Sequence, residues 1–518
     1  MSTGAHALIK TLADSGVEVC FSNPGTSEIH FVTALDTAAE MRAILCLFEG
    51  VATGAADGYS RIAEKPAATL LHLGVGLGNG LANLHNARRA HSSVVNIVGD
   101  HATYHRKYDA PLQSDIESLA KWPQGWERES KSSADIGQDA ADAVAAARAA
   151  PGRVATLILP ADISWSDGGT VGFPVTPKPP AAPDPDVVAA IADILTNGGP
   201  AALLVGGPAA RAAGLAAVGR IAQATGSTAF VETFPARMEH GAGVTNVERL
   251  GFFAEAAIAQ LAGIKHLIVA GTPPPVAFFA YPDKPSYLVP DGATVHTLAT
   301  LDDDVVAALE LLAEYVAADS APIPSEPAVP ALPNGDVTVQ NWADVVAALL
   351  PPDAIISDEA TTSGIMLPTA TAGAPRHDVL TLTGGAIGQG LPVAIGAAVA
   401  APDRPVIALQ GDGGSIYTIS ALWTMARENL NITTVILNNS AYAILRIELQ
   451  RVGAGVAGPK ANDLFDLSRP AIDFVSIAEG FGVPATRATT CEEFAEQFQR
   501  AVDEPGPHLI ELIILPTA

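Results

Sequence analysis

The chain has 518 residues, 48% hydrophobic and 16% charged, enough for about three domains with a core each. Its formal net charge of -26, from 29 Lys and Arg against 55 Asp and Glu, excludes nucleic acid from the expected partners, because that partner needs a basic face to release counterions. No apolar run reaches the roughly eighteen residues that cross a bilayer, so no membrane association is expected. Cys20, Cys46 and Cys491 lie far apart, two of them in apolar runs, and read as buried thiols of a reducing compartment. The opening MSTGAHALIKTLADSGVEV reads as an amphipathic helix running into a strand and not as a signal peptide, which makes a cytoplasmic enzyme the expectation.

In chain order, the apolar runs VEVCFS (17–22), AILCLF (43–48), AATLLHL (67–73), SVVNIVG (93–99) and VATLILP (154–160) alternate with helical segments such as GVATGAADGYSRIA (50–63) and GNGLANLHNARRA (78–90). Runs that are apolar throughout suit parallel strands buried on both faces, so a βαβ domain over 1–170 is predicted. A Pro-rich stretch, VGFPVTPKPPAAPDPDV (171–187), reads as a linker. A second αβ unit over 184–320 carries AALLVGG, STAFVETF, HLIVAG and ATVHTLA as strands, and a second linker, SAPIPSEPAVPALPNGD (320–336), follows. The alternation resumes over 336–518 with AIISDE, DVLTLTG, VIALQGD, TTVILNN and HLIELII. The predicted fold class is α/β, three doubly wound parallel-sheet domains.

The stretch VIALQGDGGSIYTISALWTMARENLNITTVILNN (406–439) carries the chemistry. VIALQ reads as a strand, YTISALWTMAREN as a helix with Ile416, Ile419, Leu422, Trp423 and Ala426 on one face, and TTVIL as the next strand. Both strands of a right-handed βαβ unit end on the same sheet edge, so Asp412 and Asn439 arrive together where open αβ sheets bind ligands. Gly411, Gly413 and Gly414 let backbone amides approach an anion at a helix start. A carboxylate, an amide oxygen and a carbonyl are hard ligands of the kind Mg²⁺ takes when it also holds phosphate oxygens.

GDG, twenty-four residues and then NN resembles the signature of thiamine-diphosphate enzymes, the family of acetolactate synthases, benzoylformate decarboxylases and pyruvate oxidases. The likeness extends over nearly the whole chain and implies a pyrimidine-binding, a middle and a diphosphate-binding domain. It implies thiamine diphosphate and Mg²⁺ as cofactors, with Asp412, Asn439 and the Ala441 carbonyl as metal ligands. Thr361 and Thr362 of DEATTSG, with Gly411, Gly413, Gly414 and Ser415, would hold the diphosphate; Ser415 lies one place past the family's hydroxyl position. TGGAIGQGLPVAIG (383–396) resembles the segment that bends the cofactor, with Ile387 as the apolar wedge and the Gly385 carbonyl as partner of the 4′-amino group.

In LCLFEGVATGAADGYSRIA, Glu49 by itself reads as a carboxylate favoured by a helix N-terminus. By resemblance it hydrogen-bonds the aminopyrimidine and is catalytic, contributed by one subunit to a diphosphate site of another. A homodimer or dimer of dimers with shared active sites is therefore implied. Thr26 of SNPGTSE matches the substrate-side Ser of benzoylformate decarboxylases, and His72 of LLHLGVG their first active-site His. Phe279 stands where those enzymes carry a second His, and the paired histidines of pyruvate decarboxylases are missing. His101 and His105 are spaced i, i+4 but have no accompanying third-ligand pattern, so they read as structural.

The activity implied is decarboxylation of a small 2-oxo acid, then aldehyde release or coupling to an aldehyde or ketone. Alternatives on the same scaffold are an oxidase linked to FAD, for which LLVGGPAARAAG is a weak signal, a 2-hydroxyacyl-CoA-type lyase, or a cofactor-binding paralogue with little chemistry.

Overall fold

The computed structural model describes residues 2–514, so the last four residues of the third expected domain lie outside the described residues. The first sheet contains β1 (Val19–Asn23), β2 (Arg42–Leu45), β3 (Ala67–Leu71), β4 (Val94–Asp100), β5 (Trp126–Glu129) and β6 (Val154–Pro160), in the order β2-β1-β3-β4-β6-β5 and all parallel. Every residue of β3, β4 and β6 is buried, which accounts for their uninterrupted apolar sequences. The strand order reverses between β1 and β3, opening a crevice at their carboxyl ends.

The middle sheet is built from β7 (Ala201–Val205), β8 (Thr228–Val231), β10 (Glu248–Arg249), β11 (His266–Ala270) and β12 (Thr294–Ala299) in the order β10-β8-β7-β11-β12. Between β8 and β10 the chain sends out β9 (Met238–His240), which pairs antiparallel with a strand of the third sheet, His377 opposite His240. The third sheet adds β13 (Ile355–Glu359), β14 (His377–Thr381), β15 (Val406–Gly411), β16 (Ile432–Asn438), β17 (Ala485–Ala488) and β18 (His508–Ile513), ordered β17-β18-β16-β15-β13-β14-β9. Its order reverses between β13 and β15, so Thr361 and Asp412 leave from adjacent strand ends.

The fold agrees with the expected three mostly parallel sheets and differs in detail. Strands β5 and β17, with the sequences WERE and ATRA, carry no apolar run because they are edge strands with little full burial. The single helix expected over YTISALWTMAREN is reduced to the helix Ala421–Arg427, preceded by a turn Asp412–Ser415 and a 3₁₀ turn Ile416–Thr418. Thr418 Oγ1 donates to the Gly388 carbonyl at 2.8 Å and Tyr417 lies against Gly388, which holds the break in place. Ile416 consequently faces out at 40% exposure instead of joining the apolar face, while Leu422 is buried as expected.

Helix Glu49–Ala63 packs against helix Gly390–Ala400 through glycines: a Cβ on Gly396 would strike the Ala55 carbonyl, and one on Gly58 the Val393 carbonyl. Arg61, in the last turn, ties the three units together. It pairs with Asp57 and donates to Thr381 O at 2.8 Å, Thr383 Oγ1 at 3.0 Å and Ala236 O at 3.3 Å.

Candidate active site

At the reversal of the third sheet, β15 ends on Gly411 and the chain turns at Asp412. The Asp412 carboxylate is buried; Oδ1 accepts from Gly413 N at 2.7 Å, whereas Oδ2 is enclosed and lacks a partner among the described residues. Burial pushes its pKa up to about 6, against the backbone N–H groups of Gly413, Ser440, Ala441 and Asn439 directed at it. Asp412 and Asn439 therefore do meet at one edge. Asn439 Oδ1 accepts from Ala441 N at 3.0 Å, and Asn438 beside it is spent on Glu511 at 2.7 Å. The described residues hold no cluster of three or more His, Cys, Asp or Glu. A donor set of one carboxylate, one amide oxygen and one carbonyl, with a carboxylate oxygen left over, fits Mg²⁺ and not a softer ion.

Thr361 opens the 3₁₀ turn Thr361–Gly364 after β13, with Thr362 half-buried beside it. A Cβ on Gly411 would lie 3.4 Å from Thr361 Oγ1, so the two turns line one groove. Gly413 lies under the Tyr442 ring, and Gly414 sits over Glu359 and Gln410, leaving backbone on the groove side. Ser415 is buried, its hydroxyl donating to the Asp412 carbonyl at 2.7 Å inside the turn. Gly385 (φ 75) and the half-buried Ile387 form a bend. Helix Leu73–Arg89 fixes it from behind through Asn86 Nδ2 to Ala386 O, 2.8 Å, and His85 Nε2 to Gly384 O, 3.1 Å.

The first sheet carries a second group of candidate residues. Glu49 is the first residue of its helix, buried, and its Oε2 accepts from Asn79 Nδ2 at 3.0 Å. Thr26 is exposed in the turn that follows β1. His72 caps helix Leu73–Arg89 with its ring against Gly25, the neighbour of Thr26, and its Nδ1 lies 2.7 Å from Oε2 of Glu28. Glu28 went unnoticed in the sequence, where a Glu at the third place of a turn signals only a cap. It is fully buried, takes the Gly25 N–H at 2.9 Å, and its Oε1 has no partner among the described residues. Burial raises its pKa, opposed by His72. The recorded partners of the Glu49 carboxylate belong to the first sheet's domain and those of Asp412 to the third's.

Two further features mark these edges. Leu73 (φ 55), Thr361 (φ 52) and Ser440 (φ 53) are non-glycine residues in the left-handed region, each at a candidate turn, a conformation that costs energy and collects at functional sites. Unpartnered buried polar atoms also gather there: Glu28 Oε1, His101 Nε2, Gln113 Oε1 and Ser114 Oγ on the first domain, Gln410 and Asp412 on the third. The rings of His101 and His105 lie 5.4 Å apart, tilted by 56°. A cavity of about 1010 Å³ lies elsewhere, at the carboxyl edge of the middle sheet, lined by Arg61, Arg88, Arg211, Arg237 and Glu232. Burial pushes Glu232 up to about 7. No helix among the described residues is long and apolar enough to cross a membrane.

Comparison with known proteins agrees with this geometry. Residues 2–124 match the thiamine pyrophosphate enzyme N-terminal TPP binding domain, and residues 342–512 the thiamine pyrophosphate enzyme C-terminal TPP binding domain. A Mycobacterium tuberculosis protein provisionally named acetolactate synthase large subunit IlvX is 60% identical over 512 residues, 99% of each chain. Benzoylformate decarboxylase of Pseudomonas aeruginosa is 30% identical over 548 residues, again 99% of each. A solved thiamine diphosphate-dependent 4-hydroxybenzoylformate decarboxylase from Rhodococcus jostii superimposes with a TM-score of 0.86 at 25% identity, covering 100% of both chains. With GDG and NN at one sheet edge and relatives matching from end to end, the chain belongs to the thiamine-diphosphate-dependent enzymes, related to acetolactate synthase and benzoylformate decarboxylase.

Proposed function

We propose that the chain is a 2-oxo acid decarboxylase or carboligase, a C–C lyase or transferase that uses thiamine diphosphate and Mg²⁺. The unpaired, buried Oδ2 of Asp412, beside Thr361 and the glycine turn, carries this reading. Asp412, Asn439 and the Ala441 carbonyl hold Mg²⁺. The hydroxyls of Thr361 and Thr362 and the amides of Gly411, Gly413, Gly414 and Ser415 receive the diphosphate. Gly385 and Ile387 orient the pyrimidine, and Glu49 keeps a proton at its ring nitrogen. When bound, the cofactor supplies the electron sink for loss of CO₂. Thr26 receives the substrate on the far side, and His72 moves a proton there, held in one tautomer by Glu28.

The half-sites on separate domains support a homodimer or dimer of dimers in which Glu49 of one copy serves Asp412 of another. The domain division is 1–170, 184–320 and 336–518. Net charge and buried thiols favour the cytoplasm. The test is product analysis with pyruvate, benzoylformate and mixed aldehydes, with cofactor and Mg²⁺ supplied. In the same assay Glu49→Gln should bind the cofactor normally and turn over ~10²-fold more slowly, the usual scale of acid–base assistance. An unchanged rate would reduce Glu49 to a helix-terminus carboxylate.

The arginine-lined crevice favours a second reading, a FAD-linked oxidase or a CoA-thioester lyase, since both carry phosphates. Flavin absorbance in purified protein or cleavage of a 2-hydroxyacyl-CoA would select it.

A further inference from the structure

Helix Leu73–Arg89 carries Gly76, Asn79, Gly80, Asn83 and Asn86 at intervals of three and four, which places them on one face. That face runs along the helix that Glu49 opens and on to the bend at Gly385. Near its middle, Thr53 Oγ1 donates to the Gly80 carbonyl at 3.1 Å, and Asn83 Nδ2 donates to the Gly50 carbonyl at 2.8 Å. At its far end Asn86 grips Ala386 twice, Nδ2 donating to the carbonyl at 2.8 Å and Oδ1 accepting the N–H at 3.2 Å. Asn83 and Asn86 are buried, and their bonds lock neighbouring backbone in place. Asn79 differs from both. It is exposed, and among the described residues its side chain makes one recorded hydrogen bond, Nδ2 to Glu49 Oε2 at 3.0 Å.

The two oxygens of Glu49 are therefore unlike each other. Oε2 is tied to Asn79, whereas Oε1 has no recorded partner and, unlike Glu28 Oε1 and Asp412 Oδ2, is not enclosed. Gly76 leaves that second oxygen its room, because a Cβ there would come within 3.1 Å of Oε1. An amide nitrogen only donates, so the oxygen it meets must accept. A proton carried by this carboxyl group then sits on Oε1, the open oxygen. An exposed bond of this kind adds little to folding, since water can satisfy both groups once it is cut.

We propose that Asn79 is a positioning residue for Glu49: it occupies Oε2, so that Oε1 presents the proton to the aminopyrimidine of the cofactor. The inference rests on the role given to Glu49 above. Without Asn79 the carboxyl group can turn about its last torsion, which is broad and roughly two-fold, and present either oxygen. The acid is still there, but its proton is in place less of the time.

The test uses full-length protein loaded with thiamine diphosphate and Mg²⁺. Three quantities are read: hydrogen–deuterium exchange at the cofactor's C2 carbon by quenched NMR, cofactor affinity by calorimetry, and the thermal midpoint of the cofactor-free chain. Asn79→Ala should slow exchange ~5-fold, the usual worth of one hydrogen bond, with affinity and midpoint unchanged. Asn79→Gln, which keeps the donor, should recover part of the rate. In a Glu49→Gln background Asn79→Ala should slow exchange no further, because it acts through that carboxyl group. An equal slowing in that background, or a slowing matched by a lower midpoint, would overturn the assignment. A slow Glu49→Gln beside a normal Asn79→Ala removes Asn79 alone. If Glu49→Gln itself exchanges at the wild-type rate, the reading of Glu49 falls and takes this inference with it.

Discussion

Arg61→Met should be the most damaging single change outside the hydrophobic cores. Arg61 and Asp57 have side chains 1% and 0% exposed, joined by Nε–Oδ1 and Nη2–Oδ2 contacts of 2.8 and 2.5 Å. Methionine fills a similar volume but leaves the Asp57 carboxylate buried with Ser92 as its remaining side-chain donor. Removing one partner of a buried pair costs about 3–5 kcal/mol, and a native domain has only about 5–15 kcal/mol in all. The same substitution cuts the bonds to Ala236 in the middle unit and to Thr381 and Thr383 in the third. Urea unfolding followed by tryptophan fluorescence and by circular dichroism should show a lower midpoint and transitions that no longer coincide. The double variant Asp57→Asn/Arg61→Met, with no stranded charge, should lose less than the single one. A single-variant loss below about 1 kcal/mol, or a double variant worse than the single, would refute the reasoning.

Asp412→Ala removes the charged ligand from the proposed metal site and should abolish Mg²⁺-dependent cofactor retention; unchanged calorimetric affinity would remove the metal assignment. Mixing Glu49→Gln with Asp412→Ala protomers, the first slowed and the second unable to hold the cofactor, should regain activity through one intact hybrid site, and demonstrated subunit exchange without regain would count against shared sites. The junction between β9 and β14 should open in acid. Burial holds His377 near a pKa of about 4 and lowers His240, whose ring lies 5.5 Å away, both from a usual 6.5. A base with a depressed folded pKa stabilises fully above 6.5 and loses that contribution as pH falls from 6.5 towards 4. His377 alone accounts for about 3 kcal/mol of that loss. His377→Gln should flatten the decline in stability over this window, and an unchanged pH profile would contradict the assignment.

The sequence by itself determined the parallel sheets and the meeting of Asp412 with Asn439. Strands such as β4 and β6 are buried on both faces and so read as unbroken apolar runs. A βαβ unit of ordinary length returns the chain to the same edge, so twenty-four residues between GDG and NN already imply their meeting. Only the tertiary structure decided the pairing of His72 with Glu28, 44 residues apart, and the exchange of β9 into the third sheet. It alone also placed Arg451 of the third domain over the Phe253 ring of the middle one. No local period encodes these contacts: each depends on how two elements far apart in the chain are packed, and hydrophobic patterning reports only which face of each element is buried. The break at Ile416 has the same origin. Its helical pattern is sound, but bonding to Gly388, brought close by the fold, outweighs one more turn of helix.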